Sequence, residues 1–265
     1  MGSKKYSNKG YNAARIAEEQ EAEEKANRRT VWICLAAVLV IIIAIVAVVL
    51  VSNNTSGTPS GEGSQTSAPS ATIDMSDIAA EINSHSVSDF EETDQTTEYV
   101  KITVKGHGDI IRRLRADVAP LTVANFQSLV GKGFYDGLTF HRVYKGFMIQ
   151  GGDPKGNGTG NSGTTIKGEF SSNGVTNGLS HIRGVLSMAR GSYSMDSASC
   201  QFFICHADAT FLDGNYASFG YVVAGMDTVD SVADVEVKAN SSGEKSSPVE
   251  PVVIEKICFV TEKQS

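Results

Sequence analysis

The chain has 265 residues, of which 41% are hydrophobic and 20% charged, enough for one sizeable core with accessory segments. Its formal charge of −7 is unevenly distributed, because residues 1–29 hold 7 Lys and Arg against 5 Asp and Glu, and residues 30–51 hold no charge. The part that follows is therefore acidic, which argues against nucleic acid as a partner, since that binding depends on neutralising phosphates.

The first 51 residues divide into a polar tail and an apolar run. Residues 1–30 contain good helix formers without an apolar stripe, which predicts either a solvated helix or a disordered segment. Val31–Val51 is an uncharged run of 21 residues. As a helix it would reach about 31 Å, which matches a hydrocarbon core of about 30 Å. The run predicts a single transmembrane helix.

The distribution of Lys and Arg predicts the orientation of this helix. Basic residues precede the run, and none occurs from Ser52 to Val100, so the tail is expected in the cytoplasm and the rest outside the cell membrane. A cleaved signal peptide is the alternative. Its apolar region is usually only ~7–15 residues long and is followed by a small-x-small site, whereas the run here is longer and ends without an Ala-x-Ala sequence.

Two segments without clear domain character follow. Residues 52–71 are rich in Ser, Thr, Gly, Asn and Pro, which predicts a flexible linker. Residues 72–97 form an acidic accessory segment with a short helical pattern at Met75–Ile82. The sequence leaves open whether this segment packs on the domain that follows.

Residues 98–265 carry the alternation expected of a β domain. Apolar residues alternate in the strand Tyr99–Val104, and Pro120 lies in the first turn of a helix predicted at Asp117–Val130. Many short strands with turn signals and few helices fit a closed antiparallel barrel. On this pattern alone, a sandwich is equally allowed. Further strands are predicted at Asp109–Leu114, Gly184–Arg190, Cys200–His206 and Val252–Val260.

Several kinds of site lack their signatures. The five histidines are scattered without metal-ligand spacing, and no serine lies in a Gly-x-Ser-x-Gly motif. The loop Gly156–Gly163 lacks the Lys-Ser/Thr of a phosphate loop. Cys200, Cys205 and Cys258 are expected to be buried thiols, although a Cys205–Cys258 bridge stays open. The sequence therefore predicts no metal site and no covalent catalysis.

The segment Phe140–Gly152 combines one arginine with aromatic residues, a methionine and a glutamine around a Lys145-Gly146 turn. A strand buried on both faces would exclude Arg142, whereas a fully exposed strand would hold no such apolar residues. The mixture indicates one wall of a shallow apolar groove with a few polar groups. Parity along the chain does not fix the register of Arg142 relative to Met148.

This segment is the first of several motifs that follow one another in order. They are Phe-His-Arg-Val-x-x-Gly-Phe-Met-Ile-Gln-Gly-Gly-Asp-Pro from 140, Gly-Thr-Gly at 158–160, Gly-Val-Leu-Ser-Met-Ala at 184–189, Gln-Phe-Phe-Ile at 201–204, Leu-Asp-Gly at 212–214 and Phe-Gly at 219–220. Together they resemble the cyclophilin family of peptidyl-prolyl isomerases, from about Tyr99 to the C-terminus. With the predicted anchor, the interpretation is a membrane-anchored bacterial form.

The resemblance implies a mainly β fold, in which an eight-stranded antiparallel closed barrel is capped by two helices, the second at Asp227–Ala233. A single transmembrane helix and a flexible linker would precede it. The resemblance also implies an isomerase of X–Pro bonds that needs no cofactor. The catalytic places of the family fall on Arg142, Gln150 and Phe147. Its substrate-binding places fall on His141, Met148, Ala189, Arg190, Gln201, Phe203, Phe211, Leu212 and Tyr216.

The implied chemistry is electrostatic. An amide resists rotation with a barrier of ~18–20 kcal/mol, and in the twisted state the prolyl nitrogen gains a free lone pair. A guanidinium donor at that nitrogen stabilises the twisted state more than either planar state. The alternative for Arg142 is a structural salt bridge. For Phe147, Met148 and Phe203, it is an ordinary place in the core.

Two departures from the family pattern affect the expected ligands. Phe211 occupies the place of a tryptophan that lines the cyclosporin pocket, and Tyr216 replaces a histidine, so cyclosporin is expected to bind weakly at most. The expected partners are proline-containing polypeptides and, through Val31–Val51, the membrane. A second hypothesis is a non-catalytic module that binds proline-containing segments as a scaffold.

Overall fold

The computed structural model describes residues 73–264 of the chain. The predicted cytoplasmic tail, the predicted membrane span at Val31–Val51 and the predicted linker lie outside these residues. Within residues 73–264, no helix combines the length and the apolar character needed to cross a bilayer.

Strands dominate the described residues. The α-helices are α1 (Met75–Glu81), α2 (Pro120–Gly131) and α3 (Met226–Ala233), with 3₁₀ turns at Val87–Asp89, Ser171–Asn173 and Thr210–Leu212. The strands are β1 (Phe90–Glu92), β2 (Tyr99–Val104), β3 (Gly108–Leu114), β4 (Phe140–Tyr144), β5 (Met148–Gly151), β6 (Val185–Met188), β7 (Phe202–Cys205), β8 (Ser218–Ala224), β9 (Val237–Ala239), β10 (Lys245–Pro248) and β11 (Ile254–Glu262).

The main sheet has nine antiparallel strands in the order β1-β11-β2-β3-β8-β6-β7-β5-β4, and β9 pairs with β10 in a separate hairpin. Among the described residues this order has two ends, so the expectation of a closed eight-stranded barrel is wrong. In the part of the chain that the structure describes, an isolated bridge between Thr139 and Val253, with a further hydrogen bond from the N–H of Gly137 to the carbonyl of Ile254, connects the β4 side to the β11 side. The next pair in that register would be His141 and Pro251, and proline has no N–H to extend the ladder.

The accessory segment packs on the sheet, which settles the point that the sequence left open. Strand β1 pairs with the end of β11, from Phe90 opposite Glu262 to Glu92 opposite Val260. Ile78 of α1 is buried in the main core, and Glu81 accepts a hydrogen bond from the hydroxyl of Tyr221 at 2.7 Å. The segment therefore adds a helix and an edge strand to the domain.

The main core lies between the sheet and helices α2 and α3. Helix α2 buries Val123, Phe126, Leu129 and Val130, the stripe expected from the sequence. It begins at Pro120 and not at Asp117, because the residue before a proline disfavours helical geometry. Among the described cysteines, Cys200 and Cys205 are buried, Cys258 is partly buried, and all three are free thiols, so the bridge left open is not formed.

Candidate active site

The register of three neighbouring strands brings the predicted polar and apolar residues together. Arg142 of β4 lies opposite Gln150 of β5, and Gln150 lies opposite Phe203 of β7. Opposed residues in antiparallel strands have their side chains on the same face. The structure thereby supplies the register that parity could not: Arg142 is on the face of Met148 and Gln150.

A small cavity of about 130 Å³ opens on this face. Met148, Phe203 and Leu212 are buried around it and form a hydrophobic cluster separate from the main core. The cavity combines an apolar base with an arginine and a glutamine at its rim. The residues that line it, all of them predicted from the sequence, are Arg142, Phe147, Met148, Gln150, Ala189, Arg190, Phe203, Leu212 and Tyr216.

Arg142 is held by an ion pair that the sequence did not reveal. Its Nε donates to Oε1 of Glu244 at 2.7 Å, and its Nη2 donates to Oε2 at 2.8 Å. The hydrogen bonds from Arg142 lower the pKa of Glu244 to about 2, although the partial burial of Glu244 acts to raise it. The third nitrogen, Nη1, donates to Oε1 of Gln150 at 3.3 Å.

The two interpretations of Arg142 are therefore not exclusive. The side chain makes a structural salt bridge, yet its guanidinium carbon lies 5.9 Å from the centre of the Phe147 ring and the side chain lines the cavity. Its remaining hydrogens lie at the edge of an apolar slot. This arrangement can donate a hydrogen bond to a ligand while both partners of the pair stay charged.

Gln150 and Gln201 continue the polar contacts away from Arg142. Nε2 of Gln150 donates to Oε1 of Gln201 at 3.0 Å, and Nε2 of Gln201 donates to the carbonyls of Gly158 and Gly160. Gln201 thus lies outside the small cavity and lines a second, adjoining space of about 390 Å³. The two spaces share Gln150, Ala189 and Arg190, so together they form one continuous groove.

Arg190 is fixed at the edge where the two spaces meet. Its guanidinium lies 4.9 Å from the ring centre of Tyr216 and 5.4 Å from that of Phe170. Its Nε donates to the carbonyl of Asn215 at 2.9 Å. These contacts give the groove a rigid cationic rim.

The other two predicted residues do not line the cavity: Phe211 lies next to Phe147, and His141, which was expected to bind substrate, lines neither space of the groove. Phe211 is 72% exposed, and its ring centre is 5.5 Å from that of Phe147, so it extends the aromatic surface outward. His141 has a largely buried imidazole whose nitrogens find no hydrogen-bond partner among the described protein groups. Burial lowers the pKa of His141, which favours a neutral ring next to Arg142.

A buried hydrogen-bonded set, missed by the sequence analysis, supports Phe203 from behind. The His181 ring stacks on Phe203 with 6.0 Å between ring centres. Its Nδ1 lies 2.7 Å from Oδ1 of Asp213, and its Nε2 lies 3.0 Å from Oγ of Ser187. His181 and Ser187 are fully buried, so this set resembles a Ser-His-Asp arrangement but offers no nucleophile to solvent. No local spacing in the sequence indicated it.

The His181 set predicts a loss of stability in mild acid. Burial lowers the pKa of His181, opposed by its hydrogen bond with Asp213. The unfolded chain takes up a proton near pH 6.5 while the folded chain resists it, so the free energy of unfolding falls as pH decreases below about 6.5. We expect His181→Gln to show a shallower fall of Tm over this range. An unchanged slope would contradict the assignment.

Comparison with known proteins gives a consistent result. The family model described as cyclophilin type peptidyl-prolyl cis-trans isomerase/CLD matches residues 99–258. Peptidyl-prolyl cis-trans isomerase B of Bacillus subtilis strain 168 is 45% identical over 124 residues, 47% of this chain and 82% of that protein. Peptidyl-prolyl cis-trans isomerase A of Dickeya dadantii strain 3937 is 40% identical over 169 residues, 60% of this chain and 83% of that protein.

The fold agrees with these sequence matches. A crystal structure of a cyclophilin-type peptidyl-prolyl cis-trans isomerase from Cryptosporidium parvum superposes with a TM-score of 0.54 at 30% sequence identity. The match covers 61% of this chain and 98% of that one, which was solved in the presence of the dipeptide Ala-Pro.

Proposed function

The chain belongs to the cyclophilin-type peptidyl-prolyl cis-trans isomerase family and is an enzyme of that type, and from this membership we propose that Arg142 and the adjoining cavity catalyse rotation of X–Pro bonds. The substrate is a proline-containing polypeptide. The proline ring enters the slot formed by Met148, Phe203 and Leu212, and the preceding residue lies towards Ala189.

Arg142 acts on the twisted amide. As the C–N bond rotates, conjugation is lost and the prolyl nitrogen becomes able to accept a hydrogen bond. An N–H of Arg142 donates to it there and has no such acceptor in either planar state, so the interaction lowers the barrier selectively. The apolar slot excludes water, which strengthens this hydrogen bond. No bond of the substrate is broken.

One observation carries this proposal: the guanidinium of Arg142 lines the same small cavity as Phe147, Met148, Phe203 and Leu212. An arginine that only paired with Glu244 would have no reason to lie over the Phe147 ring. Gln150 supports the same geometry, because its side chain accepts a hydrogen bond from Nη1 of Arg142 and donates one to Gln201.

The place of action is part of the proposal. Val31–Val51 would anchor a bacterial chain in the cell membrane in a single pass, with the isomerase domain outside the cytoplasm, where it assists the folding of exported polypeptides. The support is the length of the apolar run and the distribution of Lys and Arg around it. Thiol labelling of single-cysteine variants at residue 10 and residue 60 in intact cells checks the orientation. Labelling at residue 10 alone would contradict it.

Catalysis is tested by exchange spectroscopy on an Ala-Pro peptide with the full chain in detergent micelles. We expect cis–trans exchange much faster than the uncatalysed process, which takes tens to hundreds of seconds. The same peptide with a pseudoproline locked in one isomer should compete for the groove. Binding of the Ala-Pro peptide without faster exchange would contradict the catalytic proposal and favour a scaffold module.

Phe211 predicts weak inhibition by cyclosporin. Its ring supplies an apolar surface, but it lacks the indole N–H donor of the tryptophan that the family carries at this place. A site that loses one hydrogen bond to its ligand loses affinity, since the ligand acceptor is left unpaired. We expect Phe211→Trp to tighten inhibition about tenfold, as measured by titration against isomerase activity. Nanomolar inhibition of the unaltered chain would contradict this prediction.

A further inference from the structure

The carboxylate that pairs with Arg142 lies in a turn that is closed by its own hydrogen bonds. Glu244 lies in the loop between β9 and β10, a hairpin that packs beside β4. Oδ1 of Asn240 accepts from the backbone N–H groups of Ser242 and Glu244, each at 3.0 Å. Gly243 adopts a φ of +84°, which favours glycine at that position. The turn is therefore built to hold Glu244 in one orientation.

The pairing geometry fixes the whole guanidinium plane. The two carboxylate oxygens of Glu244 accept hydrogen bonds from Nε and Nη2 of Arg142. This bidentate arrangement adds geometric specificity to the charge attraction. Oε1 of Gln150 accepts a hydrogen bond from Nη1 of Arg142. Arg142 is thereby held at both ends, and the edge that carries Nη1 is left at the cavity.

We propose that Glu244 is a positioning residue for the isomerase reaction, because it orients Arg142 so that the Nη1 edge faces the bound prolyl nitrogen. This inference rests on the proposed role of Arg142. Glu244 itself does not line the cavity, so its effect reaches the substrate only through the guanidinium.

Preorganisation explains why such a contact would raise the rate. A free arginine side chain samples many rotamers, and a donor that is misplaced by about 1 Å can cost about 10²-fold in rate. The negative charge of Glu244 also makes the guanidinium a weaker hydrogen-bond donor, which would lower the rate. The sign of the measured effect therefore decides between positioning and inhibition.

The test compares Glu244→Gln with Glu236→Gln in the full chain, in detergent micelles, on an Ala-Pro peptide. Glu236 lies next to β9 in the same hairpin region, is exposed, and makes no side-chain contact with the site. Its replacement by Gln therefore removes the same charge as Glu244→Gln without changing the surroundings of Arg142. We expect Glu244→Gln to lower kcat about tenfold with KM changed less than about twofold, and Glu236→Gln to leave both unchanged. Equal or faster turnover by Glu244→Gln would overturn the proposal.

A spectroscopic readout separates positioning from general stability. The Nε–H resonance of Arg142 should be shifted by the charge-assisted hydrogen bond in the unaltered chain and should lose that shift in Glu244→Gln. The Glu244→Asp variant retains the charge and should recover part of kcat. A lowered Tm without a change of this resonance would assign Glu244 a structural role only and overturn the proposal.

A double substitution tells the two proposals apart. In an Arg142→Ala background, Glu244→Gln should have no further effect, because its only route to the substrate is gone. An equal loss in both backgrounds would overturn positioning through Arg142. If Arg142→Ala itself kept full activity, the proposed function would fail; if only Glu244→Gln kept it, the positioning role alone would fail.

Discussion

Arg142→Ala is expected to lower kcat/KM for an Ala-Pro peptide by about 10²–10³-fold, the loss typical of removing one donor aimed at developing charge. The loss should fall mainly on kcat, because the slot of Met148, Phe203 and Leu212 still binds the proline ring. Arg142→Lys keeps a charge but not the planar fork, so we expect it to recover only a small part of the rate. Exchange spectroscopy under saturating peptide measures both variants.

The matched control for Arg142→Ala is Arg183→Ala. Arg183 also makes an ion pair, with Asp230 at 2.8 Å, but it does not line the cavity. We expect its turnover to stay near that of the unaltered chain. If Arg142→Ala and Arg183→Ala gave equal rates, the electrostatic account of catalysis would be refuted.

A second large effect is expected at Arg112, on stability and not on activity. Arg112 is fully buried in β3, and none of its three side-chain nitrogens has a hydrogen-bond partner among the described protein groups. Its guanidinium lies 4.9 Å from the ring centre of Phe202 and 5.3 Å from that of Phe126. Burial lowers the pKa of Arg112 to about 9, which reflects the cost of keeping a charge there.

Replacing Arg112 by Met should stabilise the domain. The contacts with the two aromatic rings contribute about 2 kcal/mol, whereas an unpaired buried ion costs several kcal/mol. Met fills a similar elongated space without charge. We expect the free energy of unfolding to rise by about 2–4 kcal/mol, which corresponds to a Tm increase of roughly 4–16 °C for a domain of this size.

The adjacent Arg113 gives the control for this prediction. Its side chain points away from the core and pairs with Glu81 at 2.9 Å and Glu98 at 3.1 Å. Arg113→Met should therefore lower the free energy of unfolding by about 1 kcal/mol, since the pairs are partly exposed. Thermal unfolding followed by circular dichroism measures both. A lower Tm for Arg112→Met would show that the charge at Arg112 is needed in the core.

The sequence identified the residues that line the cavity because they lie in motifs that follow one another in the order of the cyclophilin family, and not because of strand alternation. Arg142, Met148 and Gln150 fall within one hairpin, and Phe203 lies on the next strand of the sheet. Their relative places depend on the pairing register, which alternation along the chain left open and which the structure supplies. The motifs therefore identified these residues, whereas their arrangement came from the structure.

Glu244 and Asp213 could not be found in the same way. Glu244 is 102 residues from Arg142 in the chain and lies among Ser, Asn and Gly that signal only a turn. The contact of Asp213 with His181 depends on how the 3₁₀ turn Thr210–Leu212 sits against the sheet. Such contacts are fixed by tertiary packing, which leaves no periodic trace in the sequence.

The fold shows the same limit. The strand Tyr99–Val104 was predicted to the residue, because its apolar positions alternate without interruption. By contrast, β1 is a short acidic strand that pairs with β11, far along the chain. Around Arg112, three arginines within four residues obscured which face of β3 is buried. A buried charged residue interrupts the alternation of polar and apolar residues from which the buried face of a strand is predicted.

A crystal structure of the chain with an Ala-Pro peptide bound would show which side chains contact the prolyl nitrogen. We expect the proline ring between Met148, Phe203 and Leu212, with an N–H of Arg142 within about 3 Å of the prolyl nitrogen and Glu244 still paired with Arg142. A peptide bound elsewhere in the groove, with Arg142 contacting only Glu244 and Gln150, would contradict this expectation.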